Sequence, residues 1–188
     1  MLFPERGVHV SASFFLLAAL ALIVSPVEIA ASVLLAALLH ECGHLLALKA
    51  FRVPVEGLRL TALGAELYAR GARRLSYARE LVVTLAGCGA NLACGFLTAL
   101  AARRLSWEGG FLFAGAHFLL AAFNLLPIPP LDGGRFVIEV FQKISRKVVT
   151  MRALNYLSAA GMILFIGFFL FMANQDIQRI ISGAGFGG

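Results

Sequence analysis

The chain has 188 residues, of which 60% are hydrophobic and only 14% are charged, and its formal net charge is +6. A water-soluble domain of this size needs far more polar surface to cover its core, so the composition excludes that class and predicts a membrane protein. The basic residues lie beside apolar segments, which favours contact with anionic lipid headgroups and argues against nucleic acid as a partner.

Five apolar segments are candidates for membrane-spanning helices, which need about 20 residues each. They cover residues 8–27, 28–51, 80–102, 109–126 and 153–173. Two short β-like pieces, at 55–60 and 66–68, are predicted between the second and third spans, on either side of Gly64. The sequence therefore predicts an all-α membrane protein: a polytopic helical bundle of about five transmembrane helices with a short β-like membrane-associated segment. We expect a single domain over residues 1–188, with a core at about 28–135.

Residues 135–151 show a different pattern between the fourth and fifth spans. Their apolar residues recur at helical spacing, while the charged residues lie elsewhere around the helix, and the apolar set is Val137, Phe141, Ile144 and Val148. This pattern predicts an amphipathic helix lying in the membrane interface. A tilted sixth span is the alternative.

The distribution of positive charge predicts the orientation. Residues 49–79 carry seven Lys or Arg side chains and residues 135–152 carry five, together twelve of the sixteen in the chain. Five spans place both segments on one side, and the positive-inside rule makes that side the cytoplasm. The N-terminus is then cytoplasmic and the C-terminus lies outside.

The second span contains the sequence His40-Glu41-Cys42-Gly43-His44. Residues four apart lie on one face of a helix, so the two imidazoles can meet one metal ion, and Glu41 beside them can reach a water on that metal. Three ionisable groups in one apolar helix are costly unless they are paired or coordinated. A buried polar cluster that bridges helices is the alternative to a metal site.

A catalytic zinc site has three protein ligands and one open position, so a third ligand is needed. The candidates are the acidic residues and two further histidines, His9 and His117. Asp132 is favoured because it follows the cytoplasmic end of the fourth span, at a depth similar to the two motif histidines. The residues alone leave open whether Asp132 instead caps the helix that follows it.

Two motifs in this order resemble the site-2 protease family of intramembrane metalloproteases. The first is His40 to His44 on a membrane helix, and the second is the run from Asn124 to Gly134, NLLPIPPLDGG. The run at Gly89–Asn91 matches the family only loosely. Asn91 therefore either takes part in the site or only forms a hydrogen bond between helices. The compact size is similar to the bacterial branch that includes the stage IV sporulation protease, which implies a bacterial cell membrane.

The resemblance also implies roles for individual residues. It implies that His40, His44 and Asp132 hold one zinc ion per chain, that Glu41 is the catalytic base, and that Asn124 helps to bind or orient the substrate. His117 lies seven residues before Asn124, on the same helical face, and either faces the site or packs between helices.

The function predicted is that of a zinc metalloendopeptidase that cleaves a membrane-associated protein within or near the bilayer, as in regulated intramembrane proteolysis. Its partners would be a substrate with a transmembrane or membrane-associated segment, the lipid bilayer and a regulatory membrane protein. The substrate must unwind to expose a carbonyl, and we expect the β-like piece at 55–60 to receive it by edge addition.

Two other classes of function are alternatives. A membrane metal or proton transporter predicts polar residues spread through the whole membrane depth and often a repeated half, whereas the polar groups here collect at one depth. A catalytically inactive membrane scaffold would be expected to lose Glu41 or a ligand, and all of these residues are present.

Overall fold

The computed structural model describes residues 7–61, 64–69, 75–129, 131–146 and 149–181. These residues are mostly helical and form six helices and three strands. They group into two compact units, Met1–Leu126 and Pro127–Gly188, and each unit is described by itself. The expectation of a single domain over residues 1–188 stays a prediction.

The described residues of the first unit form three strands and four helices. In chain order these are β1 (Gly7–Val10), α1 (Ala12–Val24), α2 (Val27–Ala50), β2 (Val55–Thr61), β3 (Gly64–Ala69), α3 (Tyr77–Leu105) and α4 (Glu108–Asn124). Within the described residues, α2 and α3 are the helices long and apolar enough to cross a membrane. The predicted count of five spans therefore remains a prediction.

The first predicted span is shorter than the sequence suggested. Its expected first residues instead form β1, in which Val8 and Val10 pair in parallel with Leu58 and Leu60 of β2. The alternating β-branched residues favour a strand over continuation of the helix. The 13 residues of α1 extend about 20 Å at 1.5 Å per residue, short of the roughly 30 Å hydrocarbon layer.

The three strands form one sheet in the order β1-β2-β3. β1 runs parallel to β2, and β3 runs antiparallel to β2. The two predicted β-like pieces are therefore confirmed, although Gly64 is the first residue of β3, where it pairs with Thr61. The expectation that residues 55–60 receive a substrate by edge addition is wrong, because β2 is the central strand and both of its edges are already paired.

Helices α2, α3 and α4 pack against one another through small residues. A Cβ atom added at Gly43 of α2 would lie 2.8 Å from the Cβ of Ala90 on α3, so the two helices approach closely at this glycine. Gly95 of α3 similarly lies against the ring of Phe118 on α4. Glycine and alanine at helix contacts are typical of membrane bundles, because they allow the backbones to come close together.

The second unit contains α5 (Asp132–Ser145) and α6 (Met151–Ile181). The helix predicted at 135–151 is confirmed as α5, which begins and ends earlier than expected, and its apolar residues Val137, Phe141 and Ile144 are exposed. Its location in the membrane interface stays a prediction. Gly134 of α5 and Gly161 of α6 both lie against the loop backbone at Pro129. Some residues used in the predictions lie outside the described residues. They are Pro130 in the second motif, Lys147 and Val148 near the end of the amphipathic segment, and the basic residues at 70–74.

Candidate metal centre

Helix α2 brings His40 and His44 together. Because the two residues are four apart, their side chains lie one turn apart on the same face. Their Nε2 atoms are 3.1 Å apart, and the side chains are only 5% and 8% exposed. The predicted convergence of the two imidazoles is confirmed.

The orientation of the His44 ring is set by α3. Its Nδ1–H donates a hydrogen bond of 2.8 Å to the backbone carbonyl of Val83. The proton therefore lies on Nδ1, and Nε2 keeps a lone pair that can bind a metal. Two nitrogens that each lie 2.0–2.1 Å from a tetrahedral zinc ion would be about 3.3 Å apart, close to the spacing found here. The two histidines thus fit zinc as neighbouring ligands.

A glycine on α3 makes room for both rings. A Cβ atom added at Gly87 would lie 2.6 Å from Nε2 of His40, and it would also meet Nε2 of His44. Real Cβ atoms do not come this close to neighbouring atoms. The absence of a side chain at Gly87 is therefore what allows the two imidazoles to meet against α3.

Two further buried polar residues, Asn91 and His117, form a series of polar contacts that starts at His40. The Asn91 amide on α3 lies 3.3 Å from Nδ1 of His40, through its Nδ2 atom. The Oδ1 atom of Asn91 lies 3.0 Å from Nδ1 of His117 on α4. Asn91 and His117 are both completely buried. The sequence left the roles of both residues open, and their polarity on apolar helices was the signal that could have linked them.

Glu41 and Asn124 are the other predicted site residues of the first unit. Glu41 lies on α2 between the two histidines and is half-buried. Asn124 is the last residue of α4, and its Nδ2 donates a 3.0 Å hydrogen bond to the carbonyl of Leu120. The exposed His9, considered above as a ligand, lies on β1 in register with Arg59 of β2. The catalytic role of Glu41 and the substrate-binding role of Asn124 stay predictions.

Asp132 belongs to the second unit. It is the first residue of α5 and is 9% exposed. Leu131 rather than Asp132 occupies the N-cap position of this helix. The alternative of Asp132 as the N-cap residue is therefore wrong, and its role as the third metal ligand stays a prediction.

Comparisons with known proteins bear on the family. The model for Peptidase family M50 matches residues 106–168, a range that includes Asn124 and Asp132. The chain is 41% identical over 71 residues to "Putative zinc metalloprotease Cj1068" of Campylobacter jejuni, and 41% identical over 64 residues to a "Putative zinc metalloprotease" of Chlamydia trachomatis. These matches cover 38% and 34% of this chain but 19% and 10% of the two relatives, so the chain spans a minor part of their length.

A solved structure extends the likeness to the whole fold. The chain is similar to the Site-2 Protease from Methanocaldococcus jannaschii with a TM-score of 0.72, over 97% of this chain and 88% of that one. Their sequences are 18% identical, so this comparison bears on the fold alone. The family model and the two relatives therefore support a likeness to Peptidase family M50, and the solved structure supports a fold like that of a site-2 protease. The site-2 protease family was predicted from the two motifs, while the narrower sporulation-protease branch stays a prediction.

Proposed function

We propose that this chain is an intramembrane zinc metalloprotease that hydrolyses a peptide bond of a membrane-associated protein within or near the bilayer. The observation that carries the proposal is the approach of the Nε2 atoms of His40 and His44 to 3.1 Å on an apolar helix. Such groups in a membrane helix are costly unless they are hydrogen-bonded or coordinated. The likeness to the site-2 protease family supports peptide hydrolysis as the chemistry.

The ligand set proposed for the metal is His40, His44 and Asp132. Each offers one ligand atom, a ring nitrogen or a carboxylate oxygen. Two histidines with one carboxylate are a ligand set that zinc takes in catalytic sites, where a fourth position stays open. When bound, zinc would supply a Lewis acid and a water that is nucleophilic near neutral pH. One zinc ion per chain follows from this set.

The remaining site residues would move protons and stabilise charge. Glu41 would accept the proton of the attacking water and deliver it to the leaving amine. Asn124 would donate a hydrogen bond to the oxyanion that forms at the scissile carbonyl. Its amide has two N–H groups and one of them bonds Leu120, so one remains for the substrate.

The substrate proposed is a membrane protein with a transmembrane or membrane-associated segment. A helical substrate hides its carbonyls in backbone hydrogen bonds, so the segment must unwind before it is attacked. An unwound segment could add to a sheet edge, and the outer strands of this sheet are β1 and β3. A regulatory membrane protein is a further proposed partner.

We place the chain in a bacterial cell membrane with five spans, a cytoplasmic N-terminus and the active site towards the cytoplasm. The length and apolar character of α2 and α3 support a membrane location. The basic residues at 49–79 and 135–152 support the orientation.

The proposal is tested with purified protein in detergent and in liposomes. Elemental analysis should find one zinc per chain, and a set of candidate single-span membrane proteins should include at least one that is cleaved. A chelator should stop the cleavage and added zinc should restore it. Cleavage by protein without a transition metal would overturn the zinc chemistry. Zinc uptake into liposomes without any cleavage would favour the transporter instead.

A further inference from the structure

We propose that Gly161 of α6 is a positioning residue for the metal centre, because it holds the loop at Ile128 and Pro129 and thereby places the Asp132 carboxylate. This inference rests on the proposed zinc site, in which Asp132 is the third ligand. It assigns a role to α6, a helix that the proposed chemistry does not otherwise use, through a buried glycine that carries no reactive group.

Gly161 lies directly against the backbone of the loop that precedes α5. A Cβ atom added at Gly161 would overlap the carbonyl oxygen of Pro129, and it would lie 2.9 Å from Cγ2 of Ile128. A backbone carbonyl cannot turn aside as the far end of a flexible side chain can. Position 161 therefore has room for a side chain only if the loop moves away from α6.

The first turn of α5 lies against the same two loop residues. A Cβ atom added at Gly134 would lie 2.5 Å from the carbonyl carbon of Ile128 and 2.8 Å from its oxygen, and it would also meet the nitrogen of Pro129. The backbone at Ile128 and Pro129 is therefore in close contact with a glycine on each helix of the second unit.

The loop is stiff enough to transmit its position to Asp132. Pro127 and Pro129 each fix one backbone angle, and a residue that precedes a proline is restricted as well, so Ile128 has little freedom. The Leu131 N–H donates a hydrogen bond of 2.9 Å to the Ile128 carbonyl, which closes a turn directly before Asp132. A displacement of the loop at Pro129 should therefore displace the Asp132 carboxylate.

Zinc affinity, measured by chelator competition in detergent, tests the role of Gly161. Gly161→Ala forces the loop away from α6 and should weaken zinc binding about 10- to 100-fold, the range typical when a residue that orients a ligand is changed. Gly167→Ala is the matched control on the same helix, since an added Cβ atom there meets nothing within 4 Å, and it should keep the affinity. Equal affinity of Gly161→Ala and the unmodified protein would overturn the proposal.

A double-mutant cycle separates the positioning of Asp132 from general damage to the fold. In Asp132→Ala the ligand is already absent, so the addition of Gly161→Ala should weaken zinc binding no further. If Gly161 only supported the fold, Gly161→Ala should weaken zinc binding by the same factor with and without Asp132. That additive result would overturn the proposal.

Two variants of Ile128 test the same contact without adding an atom. Ile128→Val keeps the Cγ2 methyl group that lies against Gly161 and should keep the affinity for zinc. Ile128→Ala loses this methyl group, so the loop is held less firmly and zinc should bind less tightly than in Ile128→Val. Equal affinity in these two variants would count against the contact. If Gly161→Ala does not fold, Ile128→Ala takes its place in the cycle with Asp132→Ala.

Failure of this inference and failure of the proposed function give different results. Zinc binding that depends on Asp132 but is unchanged in Gly161→Ala and Ile128→Ala would overturn the inference and leave the proposed function intact. Absence of zinc binding in the unmodified protein would overturn the proposed function, and this inference with it.

Discussion

Gly87 lies directly against the ring of His40, and a Cβ atom added at this glycine would come within 2.6 Å of the imidazole Nε2. The same added atom would meet Nε2 of His44. The backbone of α3 at Gly87 is therefore one boundary of the candidate metal centre. A methyl group there would occupy the space in which the two ring nitrogens converge.

We expect Gly87→Ala to lower zinc affinity strongly while the protein still folds. Both imidazole rings must move away from the new methyl group, which separates the two nitrogens from a common metal position. Alanine is favoured over glycine inside a helix by about 1 kcal/mol, so α3 itself should not lose stability. Zinc affinity by chelator competition and thermal unfolding in detergent measure the two effects separately.

The matched control is Gly89→Ala, two residues along the same helix, where an added Cβ atom meets nothing within 4 Å. Zinc affinity should be unchanged in this variant. Equal loss of zinc in both variants would contradict a specific role for the space at Gly87, because it would point to a general effect on α3.

Glu41→Gln should lower the cleavage rate by a factor of about 10² to 10⁴, the range typical of a lost general base. The amide has nearly the same shape as the carboxylate but cannot take the proton of the attacking water. Zinc content should remain near that of the unmodified protein, because Glu41 is not a ligand in this proposal. Cleavage of a single-span substrate in liposomes and elemental analysis of both proteins are the measurements.

Unchanged proteolysis in Glu41→Gln would remove the proposed general base. Loss of cleavage together with loss of zinc would instead make Glu41 a structural support of the metal. A transporter or scaffold with a structural metal should tolerate the substitution, because neither needs a base.

Asp132→Ala should lower the zinc affinity of the protein. If Asp132 only stabilises the start of α5 through the helix dipole, its loss should cost about 0.3–1 kcal/mol of stability and leave zinc binding intact. Chelator competition distinguishes these outcomes. Glu139→Ala on the same helix is a control for general damage to α5, and it should retain the affinity for zinc.

A topology measurement tests the orientation. A reporter fused after Arg74 should lie in the cytoplasm and one fused at the C-terminus should lie outside, as the charge distribution predicts. Reporters that are active only inside or only outside the cell provide reciprocal controls. A cytoplasmic C-terminus would require a sixth span.

Much of the fold could be predicted because local patterns determine it. Long apolar segments predicted α2 and α3, and helical spacing of apolar residues predicted α5. The strand β1 was missed because its two alternating valines, Val8 and Val10, also fit the start of an apolar span, and what stabilises them as a strand is pairing with the distant β2. Residues 55–60 were correctly predicted to be a strand but were wrongly expected to lie at a sheet edge. The sequence did not indicate β1, which pairs with β2 and makes it the central strand.

The sequence by itself determined that His40, Glu41 and His44 lie close together, because the period of a helix brings residues four apart onto one face. Only the tertiary structure decided what surrounds them. Gly87 and Asn91 lie more than forty residues further along the chain, and His117 lies on yet another helix. No local periodicity relates such distant positions, so the packing of α2, α3 and α4 alone makes Gly87 the space for two imidazoles and Asn91 the link from His40 to His117.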